Sequence, residues 1–267
     1  GACHSIGKTF ITAVAILWFL FMHRGAIVLI TAPTWRQVEK VIWPEFKSLY
    51  ARFAKVLEGF GVPSGATLQK KPYCELGDKW FALGFSSTEP ENAQGFHAPY
   101  MLLVVEEASG VNDAMFEGFR STLASGHCRM LLLSNCTRPE GRFYSCFHGN
   151  RPLWKTFQIS AWDTPNLIPL RYTLTMSKAE RIAILRKSES VIPFLISPQF
   201  VADIEEEYGM DSDVYRVRVL GQFPQCGDNQ LIALHHVEAA IARWDEMFDG
   251  RNHQPRWWEN LDSVSVH

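Results

Sequence analysis

Three short stretches carry side chains suited to a single chemistry. The chain opens GACHSIGKTF, where Gly7, Lys8 and Thr9 follow Ala2 at the spacing small-x-x-x-x-Gly-Lys-Thr, the alanine form of a phosphate-binding loop (Walker A). In such a loop the backbone N–H groups of Ala2, Cys3, His4, Ser5, Ile6 and Gly7 converge with those of Lys8 and Thr9 on an anion. The partial positive charge at the start of the following helix adds to them. Lys8 would reach the terminal phosphates of a nucleotide such as ATP, and Thr9 would offer its hydroxyl to Mg2+. A helix N-terminus that meets the pattern by chance is the competing reading, and the downstream partners decide between the two.

The second stretch is MLLVVEEASG, an apolar run that ends in Glu106 and Glu107. Consecutive residues leaving a strand point in different directions, so one carboxylate can face a metal while the next faces the γ-phosphate and polarises the attacking water. Glu106 takes the metal position and Glu107 the catalytic one; a solvated strand end is the bland alternative. The third stretch, RMLLLSNCTRPEGRFY, ends a strand in Ser134 and Asn135. Ligand chemistry gathers at the carboxyl ends of strands in α/β sheets, which makes these two candidates to sense the γ-phosphate and pass its loss to the next loop. Plain turn chemistry suits the same residues.

These groups need a scaffold that brings positions 8, 106 and 134 together. The run AIVLIT from Ala26 to Thr31 reads as a buried strand, as do residues 101–105 and 129–133. YCEL and WFALGF flank Gly77-Asp78-Lys79 and read as a β-hairpin. Thr34 and Gln37 form a capping box that opens a helix, interrupted at Pro44 before a second stretch runs to about Gly59. Strands alternating with helices predict an α/β fold with a largely parallel sheet and flanking helices. From about residue 150 the texture changes to scattered prolines and short helices. Ser197-Pro198 marks a helix start, and the acidic run in DIEEEYGMDSDVYRVRV reads as an exposed helical face. Residues 1–150 are therefore expected to form the core, and residues 151–267 a small helical lid or linker region. A phosphate loop is fed by an interior strand, here expected ahead of Gly1, so the sheet should be open along residues 101–105 or 129–133 beside Gly1 and Ala2.

With 267 residues, 47% of them hydrophobic and 20% charged, the chain can bury a large core, and a formal net charge of −2 gives no global attraction for polyanions. The six cysteines, at 3, 74, 128, 136, 146 and 226, show no ligand spacing and fit a reducing compartment. The apolar run from Phe10 to Met22 is too short for a bilayer, so no membrane is expected.

The order ACHSIGKT, TAPTWRQVEKVIW, ENAQGFHAPYMLLVVEEASG, LLLSNCTRPEGRFY and ISAWDTPN resembles the ATPase domain of tailed-bacteriophage terminase large subunits, and the likeness continues through SPQFVADIEEEYGMDSDVYRVRVLGQFP. The resemblance implies a P-loop NTPase fold of the RecA/ASCE type, with Lys8 and Thr9 in Walker A, Glu106 and Glu107 in Walker B, and Ser134 with Asn135 as the coupling motif. It further implies an ATP- and Mg2+-dependent motor that packs double-stranded DNA into procapsids, working as a homo-oligomeric ring with the portal protein and the small terminase subunit in the host cell cytoplasm. Two features depart from the family: Cys3 and His4 stand where many members place an arginine, and Glu106 stands where aspartate is usual. The family's C-terminal nuclease, with its clustered aspartates, is not expected here because no such cluster is found; His235, His236 and Glu238 do not replace it, since adjacent histidines on a helix diverge by roughly 100° rather than converging on a metal. Arg120, Arg138 and Arg142 are candidates for an arginine acting on a neighbouring subunit. Trp43 is expected to pack, while Trp35, Arg36 and His97 stay open as nucleotide or DNA contacts. A helicase-like remodeller, or a non-catalytic nucleotide- or partner-binding module, are the rival functions.

Overall fold

The computed structural model describes residues 1–60, 67–86, 95–122, 126–225, 240–241 and 243–244; in the helix that ends at Thr122 the side chains from Arg120 onward lie outside this description. Residues Gly1–Pro224 form one compact unit and Gln225–His267 a second, so the change of texture near residue 150 falls inside the first.

Among the described residues six strands make one sheet: β1 (Ile27–Thr31), β2 (Thr67–Leu68), β3 (Tyr73–Gly77), β4 (Trp80–Gly84), β5 (Tyr100–Glu106) and β6 (His127–Leu133), in the order β2-β3-β4-β1-β5-β6. The four strands from β4 to β6 are parallel, with Leu29 opposite Leu83 on one side and Leu103 on the other. The expected hairpin is the antiparallel pair β3 and β4. β1 is buried along its whole length, as a parallel strand covered on both faces must be. Val28, Ile30, Leu102 and Val104 point to one face and pack with Ala13, Ile16 and Leu20 of α1 (Lys8–Met22) and Phe46 of α3 (Trp43–Gly59). Ile27, Leu29, Met101, Leu103 and Val105 point to the other, against Met115, Phe116 and Phe119 of α4 (Asp113–Thr122) and Phe143 of α5 (Gly141–Ser145).

A third core gathers Trp162, Leu167, Leu185, Ile196, Val201, Ile204, Tyr215 and Val219 together with Cys3 of the phosphate loop. It is built from a 3-10 stretch (Ile168–Thr175), α6 (Lys178–Lys187), α7 (Pro198–Tyr208) and the short α8 (Asp213–Tyr215). α7 starts where Ser197 caps it, its hydroxyl accepting from the Phe200 N–H at 3.1 Å.

Two local expectations are corrected. The helix opened by the Thr34–Gln37 capping box, α2 (Trp35–Gln37), is not broken at Pro44: a π-helical turn over Val38–Ile42 leads into α3, with Pro44 in its first turn. The wide turn loosens the hydrogen-bond ladder where proline has no N–H to give. The acidic run of α7 is not wholly exposed either, because Glu205 is fully buried on Arg181, which is 6% exposed. Arg181 meets both carboxylate oxygens of Glu205 at 2.6–3.0 Å and donates from Nη1 to the Met176 carbonyl at 2.9 Å and the Thr173 carbonyl at 3.4 Å, so the charges are paired. As for the sheet edges, β5 is paired on both sides, whereas β6 has only β5 beside it among the described strands. Ala2 meets the far side of β6 at its end, its N–H donating to the Ser134 carbonyl at 3.1 Å.

Candidate nucleotide site

The site lies where the carboxyl ends of β5 and β6 meet the start of α1. Gly7 is the N-cap of α1 at φ 81°, ψ 28°, a left-handed conformation that places the first amides of the helix across the loop mouth, and Ser5 is also left-handed at φ 48°. The loop is seated by residues far along the chain: the Cys3 N–H donates to the Ile159 carbonyl at 2.9 Å, the His4 N–H to Arg218 at 3.2 Å, and the Ile196 N–H to Ser5 at 2.8 Å. Gly221 backs it so closely that a Cβ there would stand 2.7 Å from the Cys3 nitrogen and 2.5 Å from the Ile159 oxygen.

Lys8 and Thr9, adjacent on α1, serve two different strands. The Thr9 hydroxyl donates to Glu106 Oε1 at 2.6 Å. The Lys8 ammonium donates to Asn135 Oδ1 and, at 3.3 Å, to the Cys3 carbonyl. Glu106 is 5% exposed, and its Oε2 has no hydrogen-bond partner among the described residues. Burial pushes its carboxyl above the usual range, against the opposing effect of the Thr9 hydrogen bond. A buried carboxylate with a free oxygen beside a hydroxyl is a hard oxygen donor set, and it fits Mg2+, which is commonly held by one or two carboxylates and substrate phosphates. The extra methylene of Glu106 compared with aspartate does not prevent contact with Thr9.

Glu107 turns out of the strand in a left-handed conformation, φ 50°, ψ 44°, which glutamate adopts at a cost of about 1–2 kcal/mol. That turn separates its direction from that of Glu106. Ser134 supports it: the hydroxyl donates to Glu107 Oε2 at 3.4 Å and accepts from the Ser109 N–H at 3.2 Å. Asn135 Nδ2 lies 3.1 Å from His4 Nε2. Lys8, Thr9, Glu106, Glu107, Ser134 and Asn135 are thus joined by direct contacts, as are His4 and Cys3.

Arg138 and Arg142 line a cleft of about 360 Å3 beside Ala108 and Ser109, and the Arg142 N–H donates to Asp113. Trp43 packs, buried and stacked on Phe46 at 4.9 Å. Trp35, Arg36 and His97 are exposed and take no part in the cluster. The side chain of Arg120, and His235, His236 and Glu238, lie outside the described residues. The sequence gives no warning of Arg218 as a support of the loop, because its role depends on a tertiary approach; for Gly221 the residue type itself was the only signal.

A parallel sheet whose phosphate loop, acidic strand end and polar strand end meet at one edge defines the P-loop class of nucleotide-binding α/β domains. No protein-family model matches the chain. It is 29% identical over 250 residues to the protein named "Probable terminase, large subunit" of Enterobacteria phage P7, covering 90% of this chain and 45% of that protein, so the chain spans about half that relative's length. Among solved structures it resembles the large terminase ATPase domain of Thermus phage P74-26, with a TM-score of 0.50 and 20% identity over 83% of this chain and 87% of that one. A point mutant of the same domain matches equally. The chain therefore resembles terminase large subunits in sequence, and its fold is that of a large terminase ATPase domain. Among the described residues no helix is long and apolar enough to cross a membrane.

Proposed function

We propose that this chain is the ATP-hydrolysing motor domain of a phage terminase large subunit, and that it drives double-stranded DNA into procapsids. The observation that carries the reading is the joining of Lys8 to Asn135 and of Thr9 to Glu106, which brings the opening loop onto two strand ends 127 and 97 positions further along the chain. Lys8 and the loop amides bind the β- and γ-phosphates, and Thr9 with Glu106 would hold Mg2+. When bound, the cation supplies charge neutralisation on the phosphates. Glu107 orients a water in line with the γ-phosphorus and takes its proton; the bond to the bridging oxygen breaks and ADP leaves with the electron pair. Ser134 holds the Glu107 carboxylate, and Asn135, bonded to Lys8, registers whether phosphate has displaced it. Arg138 and Arg142, which line the cleft next to Ser109, would serve a neighbouring copy in a ring, with the portal protein and small subunit as further partners in the host cytoplasm.

The test uses the full-length protein with procapsids and linear duplex DNA. DNA should become nuclease-resistant only when ATP and Mg2+ are present, and Glu107→Gln should abolish that protection while still binding ATP. Protection without ATP, or unchanged protection by Glu107→Gln, contradicts the proposal.

A further inference from the structure

His4 is a titratable group inside the phosphate loop, and its surroundings define its protonation state. Asn135 gives its carbonyl oxygen to Lys8, which leaves its NH2 group facing His4 Nε2 at 3.1 Å. Two donors cannot face each other at that distance, so Nε2 accepts and the imidazole is neutral with its proton on Nδ1. Nδ1 is buried and has no hydrogen-bond partner among the described residues. The charged groups that face the ring are both cations, Lys8 on α1 and Arg218 beyond α8; the nearby Cys3 thiol is neutral, held by burial at about 12. Burial and then these two cations lower the His4 pKa below its usual value.

A nucleotide reverses that field. Its polyphosphate pairs with Lys8, cancels the cation that opposes a charge on His4, and brings several negative charges into the same loop. An opposite charge within about 4–6 Å raises a basic group's pKa by about 1–3 units. We propose that His4 takes up a proton from solvent at Nε2 as the nucleotide docks, abandons Asn135, whose NH2 it can no longer accept from, and turns its imidazolium to the phosphate anion. His4 thereby acts as a positioning residue: its protonation frees Asn135 at the end of β6 and couples phosphate occupancy to the loop that follows. The inference rests on the proposed ATP site, and goes beyond it in assigning a proton to the binding step.

Two measurements on the full-length protein test it. Calorimetric titration with Mg2+ and a non-hydrolysable ATP analogue, in buffers of different ionisation enthalpy, counts protons taken up per site. Wild type should take up about 0.5–1 proton more than His4→Gln, whose amide does not titrate, and its affinity should rise about 3- to 10-fold from pH 8 to pH 6 relative to that variant. His4→Asn, also non-titrating, should behave as His4→Gln does. Equal proton uptake in wild type and both variants overturns the proposal. The second measurement is the 15N spectrum of the imidazole without nucleotide, which should show the Nδ1–H tautomer; an Nε2–H tautomer overturns it independently of binding. Failure of wild type to bind the analogue at all, with the Nδ1–H tautomer present, would instead strike at the ATP site itself and remove the proposal with it.

Discussion

At the scale of single residues, the site is a set of short-range contacts that give adjacent side chains separate roles. Lys8→Ala removes the point charge held by Asn135 and Cys3, so nucleotide affinity and turnover should fall together; binding assays that find affinity unchanged would show that the opening loop does not hold phosphate. Glu106 has Oε1 committed to Thr9, while Oε2 has no hydrogen-bond partner among the described residues. Glu106→Ala should therefore raise the Mg2+ concentration needed for half-maximal hydrolysis by about 10-fold or more, whereas Glu106→Asp should match or improve on the wild type. A Mg2+ titration that finds the two variants alike would reduce Glu106 to a strand end. The residue types at these positions were legible in the sequence, because each motif names its own chemistry. The His4–Asn135 contact was not, since it joins side chains 131 positions apart that only the fold brings together.

Secondary-structure elements place those residues, and here the sequence was readable wherever a local pattern decided the outcome. The apolar runs became β1, β5 and β6, and the Thr34 and Ser197 caps fixed two helix starts. Where the outcome depended on a tertiary partner, the local pattern misled: Pro44 continues a helix through a π turn, and Glu205 is buried because Arg181 reaches it from another helix. Removing one member of such a pair leaves an uncompensated buried charge, so Glu205→Ala should destabilise the chain by about 3–5 kcal/mol in urea unfolding. A loss below about 1 kcal/mol would mean that water replaces the pair. Gly221 offers a second test between elements. At φ 63° and against the backbone of residues 2 and 3, it has no room for a methyl group, so Gly221→Ala should lower both stability and nucleotide affinity although it touches no ligand. Unchanged ADP affinity in that variant would show that the loop does not depend on this support.

For the whole molecule, the three cores act together. Two clamp the sheet, and the third, made by the later helices with Cys3, anchors the phosphate loop to the chain's second half. Their buried acidic protons make stability fall at alkaline pH. Burial pushes the Cys3 and Cys74 thiols and the Tyr215 phenol up to about 12 each. Groups with a raised folded-state pKa stabilise fully below their unfolded pKa and lose that contribution as pH rises towards the folded value. Urea midpoints should hold from pH 7 to about 8.5 and fall steadily above about 9; a flat profile to pH 11 would mean that these groups are accessible. On the surface, Trp18 is 59% and Phe60 80% exposed, and an apolar groove runs between α1 and α3, lined by Val14, Leu17, Phe21, Leu49 and Phe53 among others. With these apolar side chains exposed, the protein should associate with rising concentration, and Trp18→Gln with Phe60→Gln should reduce this in sedimentation experiments. The proposed role of Glu107 as the base in ATP hydrolysis is decided by single-turnover hydrolysis in the full-length protein carrying Glu107→Gln. ATP should bind within about twofold of wild type while hydrolysis slows by about 10²-fold or more; hydrolysis at the wild-type rate would show that Glu107 is not the base.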